Sequence, residues 1–484
     1  MFFNSIDFAL FLPLVFALYW FAADRNLKLQ NFLIVVASYV FYGWWDWRFL
    51  SLIFFSTLVD YFVGRKFAQE NDRTKRIALL WVSILVNLGF LGFFKYYNFF
   101  LDNFVTAFSF FGMEIKARAL NIILPVGISF YTFQTLSYSI DVYKRKLEPT
   151  KDFIAFSAFV SFFPQLVAGP IERATHLLPQ FYTKRSFDYA KAVDGMRQIL
   201  WGLFKKIVIA DNCAEYANLI FNNSTEYSGS TLVLGALFFT FQIYGDFSGY
   251  SDIAIGTSRL FGFDLMRNFA FPYFSRDIAE FWRRWHISLS TWFRDYLYIP
   301  LGGSHGNTWL KIRNIFIIFI VSGFWHGANW TFIVWGALNA LYFLPLMLLN
   351  KNRANTDVVA QGKYLPSLKE LMNITLTFSL TVLAWIFFRA ESISHAFSYL
   401  NGIFSATIFN MPELEITKKL AVTLIFMPTM ILIEWANREK QFALQFNGHG
   451  VSKFAMVRKA IYVFLIFSIF AFTGSNQQFI YFQF

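Results

Sequence analysis

Long apolar segments recur along the whole 484-residue chain, and they constrain its fold more than any other feature. An α-helix needs about 20 mostly apolar residues to cross the hydrocarbon core of a bilayer. Candidate spans lie at residues 6–23, 31–45, 48–63, 77–94, 153–168, 231–244, 314–349, 371–388, 420–435 and 460–474, with shorter candidates at 99–111 and 122–140. The sequence therefore predicts an all-α, polytopic integral membrane protein with about ten to thirteen transmembrane and re-entrant helices.

The composition excludes a soluble globular protein. Hydrophobic residues make up 56% of the chain and charged residues only 15%, which leaves more apolar surface than a soluble core could hide. The 66 Phe and 15 Trp suit the aromatic belts of a membrane protein. No repeat, low-complexity tract or soluble domain interrupts the pattern, so we predict a single membrane-embedded domain over residues 1–484.

The net charge of +12 would suggest nucleic-acid binding in a soluble protein. Here the basic residues cluster in short loops, such as 64–76 and 144–146, which is typical of cytoplasmic loops that face anionic lipid. We therefore predict contact with the lipid bilayer and no nucleic-acid partner. The single cysteine, Cys213, excludes an intramolecular disulfide.

A polar motif, SGFWHGANW at 322–330, lies inside the long apolar segment 314–349. If the motif is helical, Ser322, His326 and Asn329 form one narrow polar stripe. Polar groups at membrane depth are costly and so mark candidate sites. An imidazole can take a proton from a hydroxyl near neutral pH, which indicates His326 as a general base.

The same motif has a structural alternative. Gly323 and Gly327 have the spacing of a small-residue helix contact, in which His326 would only hydrogen-bond a neighbouring helix. The 36 residues of segment 314–349 would form a helix about 54 Å long, so the segment must break or turn. Pro345 comes too late in the segment to explain that break alone.

A second candidate motif is RDIAEFWRRWHISLSTWFRDYLYIPLGG at 276–303. On a continuous helix, Trp285 and His286 would share the apolar face. We expect Arg284 on the polar face, where it pairs with Glu280 at i, i+4.

The polar face of this motif also suggests a binding role. Arg283 would align with Arg294 as a phosphate-binding edge of an interfacial helix. The alternative is an ordinary interfacial helix with a satisfied core histidine.

Three other segments favour structural bends over catalysis. YGDFSGYSD at 244–252 contains Asp246, and segments 124–127 and 168–173 each combine Pro and Gly. Irregular backbone at membrane depth is tolerated where it lines protein or a cavity. No metal-ligand spacing, phosphate loop, dinucleotide fingerprint or serine elbow is present, so we predict no metal and no bound cofactor.

Six motifs resemble the membrane-bound O-acyltransferase superfamily, specifically its bacterial alginate and peptidoglycan O-acetylation branch. They are FWRRWHISLSTWFRDYLYIPLGG (281–303), SGFWHGANWTFIVWG (322–336), YGDFSGYSDIAIG (244–256), LVAGPIER (166–173), LPVGISFYTFQ (124–134) and FIYFQF (479–484). The resemblance implies a helical ring with a central tunnel that brings a cytoplasmic thioester to a buried histidine. The IPLGG continuation at 299–303 favours the acetylating branch over the D-alanine branch.

The resemblance also implies residue roles. His326 falls on the catalytic histidine of the family and His286 on its second histidine. Acetyl-CoA would be the donor substrate, with its phosphates near Arg283, Arg284 or Arg294. Trp285 and Trp325 would shape the tunnel, Ser322 or Asn329 would orient the imidazole, and Asp246 is a further candidate binding residue.

The implied setting is the bacterial inner membrane, where a periplasmic acetyltransferase partner would complete transfer to a glycan. Three alternatives stay open. They are D-alanine-type acyl transfer, a silent scaffold, and a proton-coupled transporter in which His326 and Asp246 relay protons. The absence of a second copy of either histidine motif disfavours a transporter built from repeats.

Overall fold

The computed structural model describes residues 1–23, 26–113, 115, 117–445, 455–474, 477, 479 and 480. Within these residues the regular structure is helical and contains no β-strand. Seven helical stretches among them are long and apolar enough to cross a membrane. The prediction of an all-α, multi-pass membrane protein is therefore confirmed.

The chain divides into two compact units. Unit 1 comprises Met1–Ala192 and Ser258–Met266, and unit 2 comprises Val193–Thr257 and Arg267–Phe484. The single membrane domain over 1–484 stays a prediction.

The helices of the first part of the chain are α1 Ile6–Ala17, α2 Leu27–Asp46, α3 Leu50–Gln69, α4 Arg73–Leu91, α5 Tyr97–Phe110, α6 Ile128–Tyr143, α7 Phe153–Ser161 and α8 Ala174–Leu177. In unit 1, Asp60 of α3 is fully buried and accepts hydrogen bonds from Asn87 of α4 and Ser139 of α6, both at 2.8 Å. These bonds satisfy a carboxylate that would otherwise be costly inside apolar helices.

The two Pro-Gly segments of unit 1 are structural bends, as predicted. Gly127 has φ +75° just before α6, and a Cβ there would lie 2.6 Å from the Leu166 carbonyl oxygen. Position 127 thus requires glycine, because its φ is positive and because a side chain would collide with the Leu166 carbonyl. The predicted span 153–168 is wrong, because α7 has only nine residues and ends at Ser161, too short to cross a bilayer.

The later helices are α9 Tyr189–Leu203, α10 Asp211–Asn222, α11 Gly229–Leu260, α12 Ile278–Arg284, α13 Ile287–Phe293, α14 Thr308–His326, α15 Trp330–Leu348, α16 Leu368–Arg389, α17 Ile393–Ile403, α18 Lys418–Ala436 and α19 Ala455–Ala471. Several begin at side-chain caps typical of helix N-termini. Asn307 accepts a hydrogen bond from the Leu310 N–H at the start of α14, and Ser367 and Glu370 form a capping box at the start of α16.

The irregular backbone predicted at 244–252 is wrong, because the segment lies inside the continuous helix α11. The glycines of α11 allow close packing within unit 2. A Cβ on Gly249 would lie 2.8 Å from the Gly202 carbonyl oxygen, and one on Gly256 would lie 2.5 Å from that of Gly195. Small residues thus let α11 approach α9 closely.

Candidate active site

The predicted break in the apolar segment 314–349 is confirmed, and it defines the site. Helix α14 ends at His326, the backbone is extended at Gly327, and α15 begins at Trp330. The two helices pack tightly because a Cβ on Gly323 would lie 2.2 Å from the Phe332 carbonyl oxygen. The small-residue contact anticipated for this motif is therefore present, and it holds the hairpin that carries His326.

The predicted stripe of Ser322, His326 and Asn329 is wrong because the chain leaves the helix after His326. Asn329 instead caps α15, where its Oδ1 accepts from the Thr331 N–H at 3.0 Å. Its Nδ2 donates to the Glu391 carbonyl at 3.0 Å. Asn329 therefore ties the histidine end of the hairpin to the residues that follow α16.

His326 is buried among aromatic rings. The ring centroids of Trp325, Trp335 and Phe388 lie 4.8, 5.2 and 5.2 Å from the imidazole centroid. Such walls exclude water, which strengthens electrostatic interactions at the imidazole.

His286 lies at a break between α12 and α13, so the predicted continuous helix over 276–298 is wrong. Its φ of +43° places a non-glycine residue in the left-handed region, which ends one helix before the next begins. The imidazole Nδ1 lies 3.0 Å from Asn268 Oδ1, and the ring is 4.6 Å from that of Phe247. Sequence reasoning missed Asn268, which lies 18 residues earlier in the chain.

Trp325 brings the two predicted histidines together. Its ring centroid lies 6.0 Å from that of His286 and 4.8 Å from that of His326. Trp285 is buried nearby, with its ring 5.1 Å from that of Trp385. The two predicted histidines, His286 and His326, and the two predicted tunnel residues, Trp285 and Trp325, thus belong to one buried cluster of unit 2.

A cavity of about 520 Å³ opens beside the α14–α15 hairpin. Its lining residues are Trp282, Ser290, Phe293, Arg294, Tyr298, Ser304, Lys311, Ile315, Ile318, Phe319, Ser322, Phe343, Met347, Asn350, Asn352 and Arg353. Ser322 precedes His326 by four residues, about 6 Å along α14, and Lys311 lies about 22 Å from His326 along the same helix. The cavity therefore joins a basic end to an apolar wall that reaches one helical turn from His326.

Arg294, predicted to contact donor phosphate, and Ser322, predicted to orient the imidazole, both line this cavity, whereas sequence reasoning missed Lys311 and Arg353. A signal for Lys311 existed, since residues 311, 315, 318 and 322 follow the spacing of one helical face. Arg353 lies in the loop between α15 and α16, where no periodic pattern applies.

Comparison with known proteins identifies the family of the chain. The model of the membrane-bound O-acyltransferase (MBOAT) family matches residues 144–383. The chain is 41% identical to the probable alginate O-acetylase of Pseudomonas aeruginosa over 414 residues, which cover 85% of this chain and 76% of that protein. It belongs to the MBOAT family.

Two other relatives are less similar in sequence to this chain. The peptidoglycan O-acetyltransferase of Helicobacter pylori is 37% identical over 81% of this chain and 77% of its own length. The teichoic acid D-alanyltransferase of Bacillus subtilis is 28% identical over 57% of this chain and 71% of its own length. As an MBOAT protein, the chain is a membrane-embedded O-acyltransferase.

Two arginines predicted to bind phosphate hold a loop of this acyltransferase instead. Arg283 donates to the carbonyls of Asn352 and Asn355 at 2.8 and 2.6 Å. Arg284 donates to the Asp357 carbonyl at 2.7 Å and forms the predicted pair with Glu280 at 2.9 Å. The predicted edge of Arg283 and Arg294 is wrong, because the helix breaks between them.

A further arginine, Arg276, holds the same loop. It forms an ion pair with the Asp357 carboxylate at 2.9 Å, and this hydrogen-bonded contact holds the pKa of Asp357 below its usual value. The residues 350–357 that supply Arg353 to the cavity are thus fixed by three arginines. The stabilising contact at Asp357 is fully present above the usual carboxyl pKa and is lost as the pH falls through the lowered one.

Asp246 lies in a buried ion cluster rather than in the cavity lining. Its carboxylate lies 2.8 Å from Lys206, which also contacts Asp211 at 2.8 Å, and it accepts from the Ile480 N–H at 2.7 Å. The cluster ties together separate segments of unit 2. Among the described residues, no group of three His, Cys, Asp or Glu side chains could hold a metal ion.

Proposed function

We propose that this MBOAT protein transfers acetyl groups from acetyl-CoA on the cytoplasmic side towards an extracytoplasmic glycan such as alginate or peptidoglycan. The observation that carries the proposal is the cavity, which is lined by Arg294, Lys311 and Arg353 and also by Ser322, one turn from His326. Phosphates of a nucleotide suit basic side chains, whereas a thin acyl-carrying arm suits an apolar passage. The names of the P. aeruginosa and H. pylori relatives support acetyl transfer to these glycans.

The proposed chemistry needs only the thioester, a hydroxyl and a base. His326 takes the hydroxyl proton as the oxygen attacks the thioester carbonyl carbon. The tetrahedral intermediate then collapses, the C–S bond breaks, and the leaving sulfur receives the proton. The aromatic wall around His326 keeps out water that would hydrolyse the donor.

The proposal places donor and acceptor on opposite sides of His326. Helix α14 runs from the basic end of the cavity, and the bond from Asn329 to Glu391 places the C-terminal end of α16 near His326. Only the acyl-carrying arm then enters the membrane, so no nucleotide charge is buried in lipid. The protein would lie in the bacterial inner membrane, where a periplasmic acetyltransferase partner would complete transfer to the glycan.

The experiment is transfer from radiolabelled acetyl-CoA by the purified protein in liposomes, with a soluble glycan oligomer as acceptor. Consumption of acetyl-CoA that depends on His326, with the label recovered on the oligomer or as acetate, supports the proposal. Preference for a D-alanyl thioester, or solute uptake without consumption of acetyl-CoA, contradicts it and favours the corresponding alternative.

Sidedness has its own test in a Cys213→Ser background. Ala354→Cys reports on the loop at the basic end, and Glu391→Cys reports on the histidine end; both positions are exposed. An impermeant maleimide applied to sealed vesicles of each orientation should label them from opposite sides, with position 354 cytoplasmic. Labelling of both from one side would contradict the arrangement.

A further inference from the structure

Asn268 is a fully buried residue whose polar atoms are directed largely at the His286 segment. Its backbone carbonyl accepts from the Ile287 N–H at 2.9 Å. Its Oδ1 lies 3.0 Å from His286 Nδ1 and accepts from the Ser288 hydroxyl at 2.9 Å. Its Nδ2 donates to the Ser251 hydroxyl of α11 at 3.0 Å.

These contacts determine the tautomer of His286. The Ser288 backbone N–H lies 3.4 Å from Asn268 Oδ1, and a backbone N–H can only donate. The atom of Asn268 that faces His286 is therefore the carbonyl oxygen rather than the amide nitrogen. His286 Nδ1 must then carry the proton, and Nε2 carries the lone pair.

The backbone at this point is also held under strain. His286 has φ +43° and ψ +54°, a region that costs about 1 kcal/mol or more for a non-glycine residue. The contacts of Asn268 with residues 286, 287 and 288 stabilise this conformation. A residue needed only to fill space would not require a fixed tautomer in a strained backbone.

We propose that Asn268 is a positioning residue that holds His286 in the Nδ1–H tautomer, so that Nε2 accepts a hydrogen bond from a glycan hydroxyl adjacent to the attacking one. This inference rests on the proposed O-acyl transfer. Of the two substrates, the thioester group has no proton to donate, whereas a glycan has several hydroxyls. The lone pair at Nε2 therefore pairs with a glycan hydroxyl beside the attacking one, whose own proton goes to His326. His286 orients the acceptor while His326 takes its proton.

The decisive variant is Asn268→Asp, tested by transfer from labelled acetyl-CoA across a range of pH. A carboxylate opposite Nδ1 favours the imidazolium and raises the pKa of His286. Because an imidazolium cannot accept a hydrogen bond, the low-pH limb of kcat should move to higher pH by about one unit or more. Asn212→Asp changes another buried amide, one that bonds backbone carbonyls away from the histidines, and should leave the pH profile in place.

A double-mutant cycle distinguishes an effect that acts through the His286 imidazole from a general effect on the fold. In a His286→Ala background, the Asn268→Asp change should no longer move the pH profile, since it acts through the imidazole. The inference would be overturned if Asn268→Asp alone left the pH profile of kcat unchanged. It would also be overturned if Asn268→Asp shifted that profile equally in the wild-type and His286→Ala backgrounds. Failure of the wild-type protein to use acetyl-CoA would instead contradict the proposed function.

Discussion

The two histidines of this acyltransferase are held in different ways. His286 lies in a strained turn, and Asn268 fixes its backbone and its ring by hydrogen bonds. His326 ends a regular helix, and aromatic rings surround its imidazole. Hydrogen bonds determine the orientation and the tautomer of the His286 imidazole. The aromatic rings around His326 determine the space around its imidazole and the access of solvent to it.

The difference separates structural from chemical effects of substitution. At His326 the backbone is helical, so a substitution there changes the chemistry without changing the backbone conformation. At His286 any substitution also changes a strained backbone. The following predictions test whether the two positions differ in this way.

The largest effect is expected for His326→Ala. Loss of the base should lower kcat by about 10²- to 10⁴-fold, while folded yield and membrane insertion stay near normal. The measurement is acetyl transfer by purified, monodisperse protein. His176→Ala is the matched control, because His176 pairs with Glu172 in unit 1. Activity within a few-fold of wild type would remove His326 from the proposed mechanism.

A smaller loss of turnover, about 10- to 100-fold, is expected for His286→Ala, because an orienting group contributes less than the base. His286→Gly provides the control for strain, since glycine adopts φ +43° without cost. Glycine should recover folded yield relative to alanine but no activity. If His286→Ala abolishes turnover as completely as His326→Ala with donor binding intact, the two roles must be exchanged.

Much of this arrangement could be predicted from the sequence. Apolar length predicted the membrane helices, the excessive length of 314–349 predicted its break, and polar residues at membrane depth drew attention to both histidines. Each of these depends on local composition and on the energetics of burial, which a sequence displays directly.

The features that sequence reasoning missed depend on contacts between distant residues. The break at His286 is stabilised by Asn268, which no helical wheel includes. The glycines of α11 allow close packing against α9 and not a bend, a choice that only the partner backbone decides. Arg353 reaches the cavity from a loop held by Arg283, which sequence reasoning had placed in direct contact with donor phosphate.

The basic end of the cavity should differ from both histidines in its kinetic signature. Lys311→Glu and Arg353→Glu should each raise the KM for acetyl-CoA by about tenfold or more, with kcat nearly unchanged, because each removes a charge-assisted contact to phosphate. Lys363→Glu makes the same charge change at an exposed residue outside the cavity and should leave KM in place. A fall in kcat at constant KM would show that these residues act at the reaction centre.

The smallest effect is expected for Arg283→Ala, because its guanidinium bonds loop carbonyls and reaches the donor only through the position of Arg353. Loss of two neutral acceptor contacts should raise the KM for acetyl-CoA about two- to fivefold, and the loop around residue 354 should become more sensitive to protease. Arg283→Lys keeps the charge but cannot reproduce the two-carbonyl contact, so it should resemble alanine. Had Arg283 bound phosphate directly, lysine would restore most of the affinity, and the alanine variant would match Arg353→Glu in KM without any change in proteolysis. Measuring KM and loop cleavage on Arg283→Ala, Arg283→Lys and Arg353→Glu therefore distinguishes a residue that holds the loop from one that binds the donor.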